Sequence, residues 1–174
     1  MLVLVMGVSG CGKTTLGRAL AERLGARFLD GDDFHPEANV RKMAAGTPLD
    51  DADRMPWLAR LNAELKACEA RGESAVLACS ALKAAYRERL GERLGRLETV
   101  FLHADTAVIQ ERLAARSHRY MPASLLQSQL DTLESPVEAI RVDVSQSPET
   151  CVSTALAALA ERNHAMPLVD LEGV

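Results

Sequence analysis

Aromatic side chains are scarce in this chain: three Phe, two Tyr and one Trp make up 3% of 174 residues, although 48% are hydrophobic. Ala and Leu must therefore carry the packing, which is the habit of a helix-rich α/β protein. Positive charge is in deficit too. Twenty Lys and Arg against 24 Asp and Glu leave a net charge of −4, which argues against sequence-independent nucleic-acid binding, usually the work of basic domains. Any positive charge needed for an anionic ligand must be gathered locally. No C-x-x-C pair occurs among Cys11, Cys68, Cys79 and Cys151. Their wide spacing speaks against zinc and disulfide roles and for small buried filler, the reduced thiols of a cytoplasmic protein. The apolar opening MLVLVM is far too short to cross a bilayer and lacks a basic lead-in, so it reads as a first strand rather than a membrane or targeting segment. Repeats and low-complexity linkers are also missing, and the length suits one domain.

The most informative stretch comes directly after that first strand. Gly7-Val8-Ser9-Gly10-Cys11-Gly12-Lys13-Thr14 fills G-x-x-x-x-G-K-[ST], the phosphate-loop pattern. Glycines let the backbone turn tightly and aim several N–H groups inward, and a helix starting there adds its positive end. Lys13 would reach the β- and γ-phosphates of a nucleotide, the Thr14 hydroxyl would be a Mg²⁺ ligand, and Thr15 belongs to the same cradle. Chance would produce these fixed positions in roughly one chain in a hundred of this length. The context sharpens the signal, because an apolar strand precedes the loop and Leu16, Ala19, Leu20 and Leu24 come next at helical spacing. ATP binding is the expectation.

Further along, residues 26–32 (ARFLDGD) read as a second strand ending in acids, with Asp30 and Asp32 projecting the same way if the strand alternation continues. Residues 35–56 are polar and punctuated by Pro36, Gly46, Pro48 and Pro56, with a short helix expected around residues 37–45. Trp57, Leu58, Leu61 and Leu65 give a helical stripe, Pro56 suits its first turn, and Gly72 closes it. Strands are expected at residues 74–79, 98–103 and 139–144, and helices at 81–94 and 106–116. Ser147 as cap and Pro148 in the first position open a last helix, and the tail from His164 lacks periodicity. Five strands alternating with helices predict a three-layer α/β/α domain with a parallel sheet. Residues 33–56 and 117–136 interrupt the alternation, where a phosphoryl-transfer enzyme would place an acceptor-binding insertion and a water-excluding lid.

Beyond the phosphate loop, the chain carries F-L-D-G-D-x-x-H-P at 28–36, K-M-x-x-G-x-P-L-x-D-x-D-R-x-P-W-L at 42–58, C-S-A-L-K-x-x-Y-R at 79–87 and S-Q-L-x-T-L-E-x-P at 128–136. With these motifs it resembles the gluconate kinases, P-loop kinases of the nucleoside-monophosphate-kinase-like fold, over nearly the whole chain to about residue 148. The resemblance implies transfer of a phosphoryl group from MgATP to the terminal hydroxyl of D-gluconate, in a cytoplasmic homodimer that binds neither nucleic acid nor membrane. One segment departs from the family: Arg116-Ser117-His118-Arg119-Tyr120-Met121-Pro122 stands where R-x-G-H-F-M-P is usual.

Phosphoryl transfer demands positioning and charge neutralisation more than covalent work. Asp32 is the candidate for orienting the acceptor hydroxyl and accepting its proton, and Asp30 for assisting Mg²⁺ through water. The same acids also suit a turn that caps the next helix. Gluconate carries a carboxylate and hydroxyls, for which Arg54, Lys83 and Arg87 are candidate cations and His35 and Ser80 candidate hydrogen-bonding partners. Lys83 and Arg87 would share a helix face, which could equally be a solvated one, and Arg54 has Asp50, Asp51 and Asp53 as local partners. Arg116 and Arg119 are the candidate lid cations for the ATP phosphates. A kinase of the same fold acting on shikimate or a nucleotide is the alternative. A GTPase switch would need N-K-x-D, which is absent, and an AAA-type ATPase is expected to be longer.

Overall fold

The computed structural model describes residues 1–115 and 124–164. Five strands, β1 (Leu2–Met6), β2 (Arg27–Asp30), β3 (Ala75–Ala78), β4 (Leu97–His103) and β5 (Ile140–Asp143), form a parallel sheet in the order β2-β3-β1-β4-β5. Strand β1 is central, and its five residues are all buried, as an unbroken apolar run predicts for a strand covered on both faces. Side-chain alternation divides them. Leu2, Leu4 and Met6 enter one core with Trp57, Leu58, Leu61 and Leu65 of α3 (Asp51–Ala70) and Leu90 of α4 (Ala84–Gly91). Val3 and Val5 enter the other, against Leu16 and Leu20 of α1 (Lys13–Leu24) and Ala155 and Leu159 of α7 (Pro148–His164). The three-layer α/β/α architecture is thus formed as expected, and the four cysteines are buried and free. Burial pushes the Cys79 thiol up to about 12, so it stays protonated.

Three boundaries differ from the expected ones. Helix α3 begins at Asp51, not at Pro56, because Asp50 and Asp53 form a reciprocal capping box: Asp53 N–H donates to Asp50 Oδ1 at 2.8 Å and Asp50 N–H to Asp53 Oδ2 at 3.1 Å. Those hydrogen bonds outweigh the interior proline, which removes only one donor near the helix start. Strand β2 ends at Asp30, and Gly31–Phe34 forms a 3₁₀ turn, so Asp32 leaves the alternation that would align it with Asp30. Helix α4 is also shorter than 81–94, since Ala81 sits at φ 43°, outside helical space. Helix α2 (Glu37–Ala44) and the Ser147 cap, whose Oγ accepts from Thr150 N–H at 3.2 Å, fall where expected. Two further helices, α5 (Thr106–Ala115) and α6 (Ser124–Thr132), flank residues 116–123. No described helix is long and apolar enough to cross a membrane.

Candidate active site

The strand order reverses at β1, and the loop after it opens at the carboxyl ends of the strands, where open α/β sheets bind ligands. Gly7 has φ +143° and Gly10 φ +86°, a region L side chains rarely adopt. A Cβ on Gly7 would lie 2.7 Å from the Leu102 carbonyl oxygen, and one on Gly10 would lie 2.8 Å from Leu113 Cγ. The glycines are therefore required twice, by conformation and by space. Val8 and Cys11 are buried beneath the loop. Helix α1 starts at Lys13, so the amides of Lys13, Thr14 and Thr15 are first-turn donors directed out of its positive end. Lys13 Nζ donates to Val8 O at 3.0 Å, which folds the ammonium over the loop.

Thr14 Oγ1 donates to Asp30 Oδ2 at 3.0 Å. A hydroxyl and a carboxylate at hydrogen-bonding distance beside a phosphate loop form an all-oxygen pair of the kind a hard dication takes, with phosphate and water completing the shell. Among the described residues no group of three or more His, Cys, Asp or Glu side chains is arranged to hold a metal by itself. The pair fits Mg²⁺ bound together with a nucleotide.

The other oxygen of Asp30 accepts from Asp32 N–H at 3.3 Å, capping the 3₁₀ turn. The two acids are thus brought together by a cap, not by strand alternation. Partial desolvation beside the phosphate loop, then the charges of Asp30 and Asp33, raise the Asp32 carboxyl above the usual carboxylate range while Lys13 pulls it down; the side chain itself is 90% exposed, so the shift is a modest one. The turn is anchored from below. Trp57 Nε1 donates to Gly31 O at 2.8 Å, and the Trp57 ring stacks on His35 with centroids 4.1 Å apart. Burial and the Arg54 charge lower the His35 pKa to about 4, so this imidazole is neutral at neutral pH. Its Nε2 lies 4.0 Å from Asp32 Oδ1, and its Nδ1 faces Asn39 Nδ2 at 3.4 Å. Replacing Trp57 with Phe keeps a ring under His35 but strips the buried Gly31 carbonyl of its donor. We expect Trp57→Phe to lower the thermal midpoint by about 3–6 °C and kcat with it, as read by calorimetry and steady-state kinetics.

The expected acceptor-side residues converge on the loop after β3. Ser80 contributes its carbonyl to Gly7 N–H at 3.4 Å. Lys83 does not lie on a shared face with Arg87: it is the residue before α4, and its Nζ contacts Asp51 Oδ1 at 2.9 Å and Oδ2 at 3.0 Å. Arg87 folds back to donate to the carbonyls of Ala81 and Leu82 at 3.0 and 3.1 Å, which the positive φ of Ala81 leaves outside regular structure. Arg54 Nε donates to Leu49 O at 3.2 Å and its guanidinium lies 5.6 Å from the Tyr86 ring centroid, with its charge still felt by Asp51. Its acidic neighbours have other partners, Asp53 with Lys42 and Asp51 with Lys83 and the Tyr86 hydroxyl. Arg116 and Arg119 lie outside the described residues. Sequence reasoning overlooked Asp51, which neutralises a candidate cation from 32 residues away, and Gln129, which reaches Ser9. Gln129 was visible only as a letter in the motif at 128–136.

A phosphate loop at the switch point of a parallel sheet, with a threonine–carboxylate pair and an acid turn at its lip, defines a P-loop kinase. A family model described as AAA domain matches residues 2–140. That match covers the nucleotide-binding core. The chain is 50% identical over 152 residues to a gluconokinase of Gluconobacter oxydans, covering 84% of each protein. A gluconokinase structure from Sinorhizobium meliloti superimposes with TM-score 0.85 at 46% identity, over 94% of this chain and 93% of that one. Shikimate kinase from Aquifex aeolicus shares the fold, with TM-score 0.61 over 95% of this chain and all of that one, but only 20% identity. The chain belongs to the gluconokinase family, and it is a kinase.

Proposed function

We propose that this protein transfers the γ-phosphoryl group of ATP to the terminal hydroxyl of D-gluconate, giving 6-phospho-D-gluconate and ADP. The observation that carries the reading is the meeting of Lys13, the Thr14–Asp30 pair and the Asp32 turn at the carboxyl end of the sheet, in a chain whose relatives of similar length are gluconokinases. Lys13 and the amides at Gly10, Gly12 and the first turn of α1 bind and neutralise the polyphosphate. Thr14 and Asp30 hold Mg²⁺, which supplies charge neutralisation to the phosphates when bound. Asp32, with its affinity for protons raised, orients the acceptor oxygen and receives its proton as the new O–P bond forms. His35 stays neutral and places a polar edge beside Asp32 without adding charge.

Arg54 supplies the cation for the gluconate carboxylate, and Lys83, its charge balanced by Asp51, joins Ser80 and His35 as partners for the hydroxyls. Arg87 serves that side by holding the 81–82 carbonyls. Residues 33–56 form the acceptor-binding insertion and residues 117–136 the lid, with Arg116 and Arg119 reaching the ATP phosphates. The enzyme works as a homodimer in the cytoplasm, in gluconate utilisation, without nucleic acid or membrane. Profiling ADP release with MgATP over gluconate, other aldonates, shikimate and nucleoside monophosphates tests the assignment. Gluconate should give the highest kcat/KM by at least about tenfold; a clear preference for shikimate or a nucleotide would reverse it.

A further inference from the structure

Helix α6 and the residues after it touch both the phosphate loop and the loop after β3, and the chemistry above uses neither contact. On the donor side, Ser9 N–H in the phosphate loop donates to Gln129 Oε1 at 2.7 Å, and Gln129 Nε2 donates to Ser9 Oγ at 3.3 Å. On the acceptor side, Glu134 N–H donates to Leu82 O at 2.9 Å, and Glu134 Oε2 accepts from Ala84 N–H at 2.6 Å, capping α4. Between these contacts Val8, Leu82, Ile109 and Leu126 form a buried cluster of their own, separate from the two cores on the sheet faces. One residue of that cluster comes from the phosphate loop, one from the acceptor loop and one from each of α5 and α6.

Apolar packing of this kind presses α6 against both loops but does not orient a backbone amide; directional hydrogen bonds do. Orientation matters here. A loop with three glycines at positive φ has many backbone alternatives, while its amides serve a polyphosphate only if they converge. We infer that Gln129 is a positioning residue of the phosphate loop. It fixes Ser9 through a two-point amide contact, so that the neighbouring amides keep their aim. Through α6 and Glu134 it also ties that loop to the acceptor loop at Leu82–Ala84. A primary amide suits the position because it accepts from a main-chain N–H and donates to a hydroxyl at once, and it brings no negative charge toward a triphosphate. Glutamate would keep the acceptor and add the charge.

The inference rests on the polyphosphate-binding half of the proposed function and is independent of which acceptor is used. It is tested in the full chain with Gln129→Ala and Gln129→Glu. The measurements are steady-state kinetics with MgATP and gluconate, calorimetric titration with a non-hydrolysable ATP analogue plus Mg²⁺, and thermal midpoints. Gln129→Ala should lower kcat about tenfold, leave the KM for gluconate within about twofold and move the midpoint by less than about 2 °C. Gln129→Glu should weaken the analogue at least about tenfold with the fold intact. Parental kcat in the alanine variant, or a loss that merely tracks a lowered midpoint, would overturn the assignment. So would tighter analogue binding by Gln129→Ala, since the side chain would then compete with phosphate for the Ser9 amide, and so would parental affinity in Gln129→Glu. If the parent protein turns over another acceptor, the acceptor assignment fails and the analogue titration still decides the role of Gln129.

Discussion

Asp32→Asn is expected to lower kcat by at least about two orders of magnitude while nucleotide affinity stays near the parental value. The amide can still orient a hydroxyl but cannot take its proton, whereas the groups proposed to hold the nucleotide are elsewhere, on the loop and on Thr14. The pH dependence adds a second probe of the same group. Partial desolvation and the neighbouring acids raise the pKa of the exposed Asp32 carboxyl, so the parental kcat/KM should fall as pH drops through a value somewhat above the ordinary carboxylate range. The acid limb due to this group should be missing in the variant. Stability should run the other way. A carboxyl that binds its proton more tightly folded than unfolded favours the folded state increasingly as pH falls between the two pKa values, and opposes folding once ionised. Asp32→Asn should therefore leave the thermal midpoint at neutral pH unchanged or raised, which separates a chemical defect from misfolding. Near-parental turnover with an intact midpoint would remove Asp32 from the role of base. His35 titrates at about 4 and contributes no step near neutrality.

Lys13→Ala should cost more in total, because it acts on binding and on the reaction. The ammonium sits over the loop at 3.0 Å from Val8 O, where the proposed transfer would build charge on the phosphoryl oxygens. Loss of one preorganised donor at such a position costs about two to three orders of magnitude in kcat. The KM for ATP should rise as well, since a full positive charge is withdrawn from the polyphosphate. The midpoint should change little, because the residue contributes one contact to its own loop. Isothermal titration and initial rates check both halves; unchanged kinetics would discredit the phosphate loop as the donor site.

The legible and illegible parts of the site divide by the range of the interactions involved. Lys13 and Thr14 are readable because their chemistry is local: a strand, a glycine turn and a helix start supply it within 15 residues. Asp30 and Asp32 are readable as functional acids, but their spacing suggests strand alternation where a 3₁₀ turn capped by Asp30 brings them together. The start of α3 is easily misplaced because Pro56 is a loud signal, while an Asp50–Asp53 capping box uses residues equally at home in loops. Arg54, Lys83 and Arg87 can be nominated from composition and motif. Their engagements with Leu49 O, with Asp51 and with the carbonyls of Ala81 and Leu82 depend on how α3 and α4 meet. Periodicity carries no trace of such meetings.

The amino-acid order alone determined a parallel α/β domain built around a buried first strand, a phosphate loop after it and a family motif for the acceptor side. Those features depend on nearest-neighbour sterics, hydrophobic period and glycine placement, which act within one element and its flanks. Tertiary structure alone decided that Trp57 props the Asp32 turn through Gly31, that Asp51 neutralises Lys83, and that Gln129 reaches back 120 residues to hold Ser9. Each of these is a hydrogen bond between groups that only chain folding brings within about 3 Å of one another. Its energy depends on that distance and on the exclusion of water, neither of which is written in the local sequence.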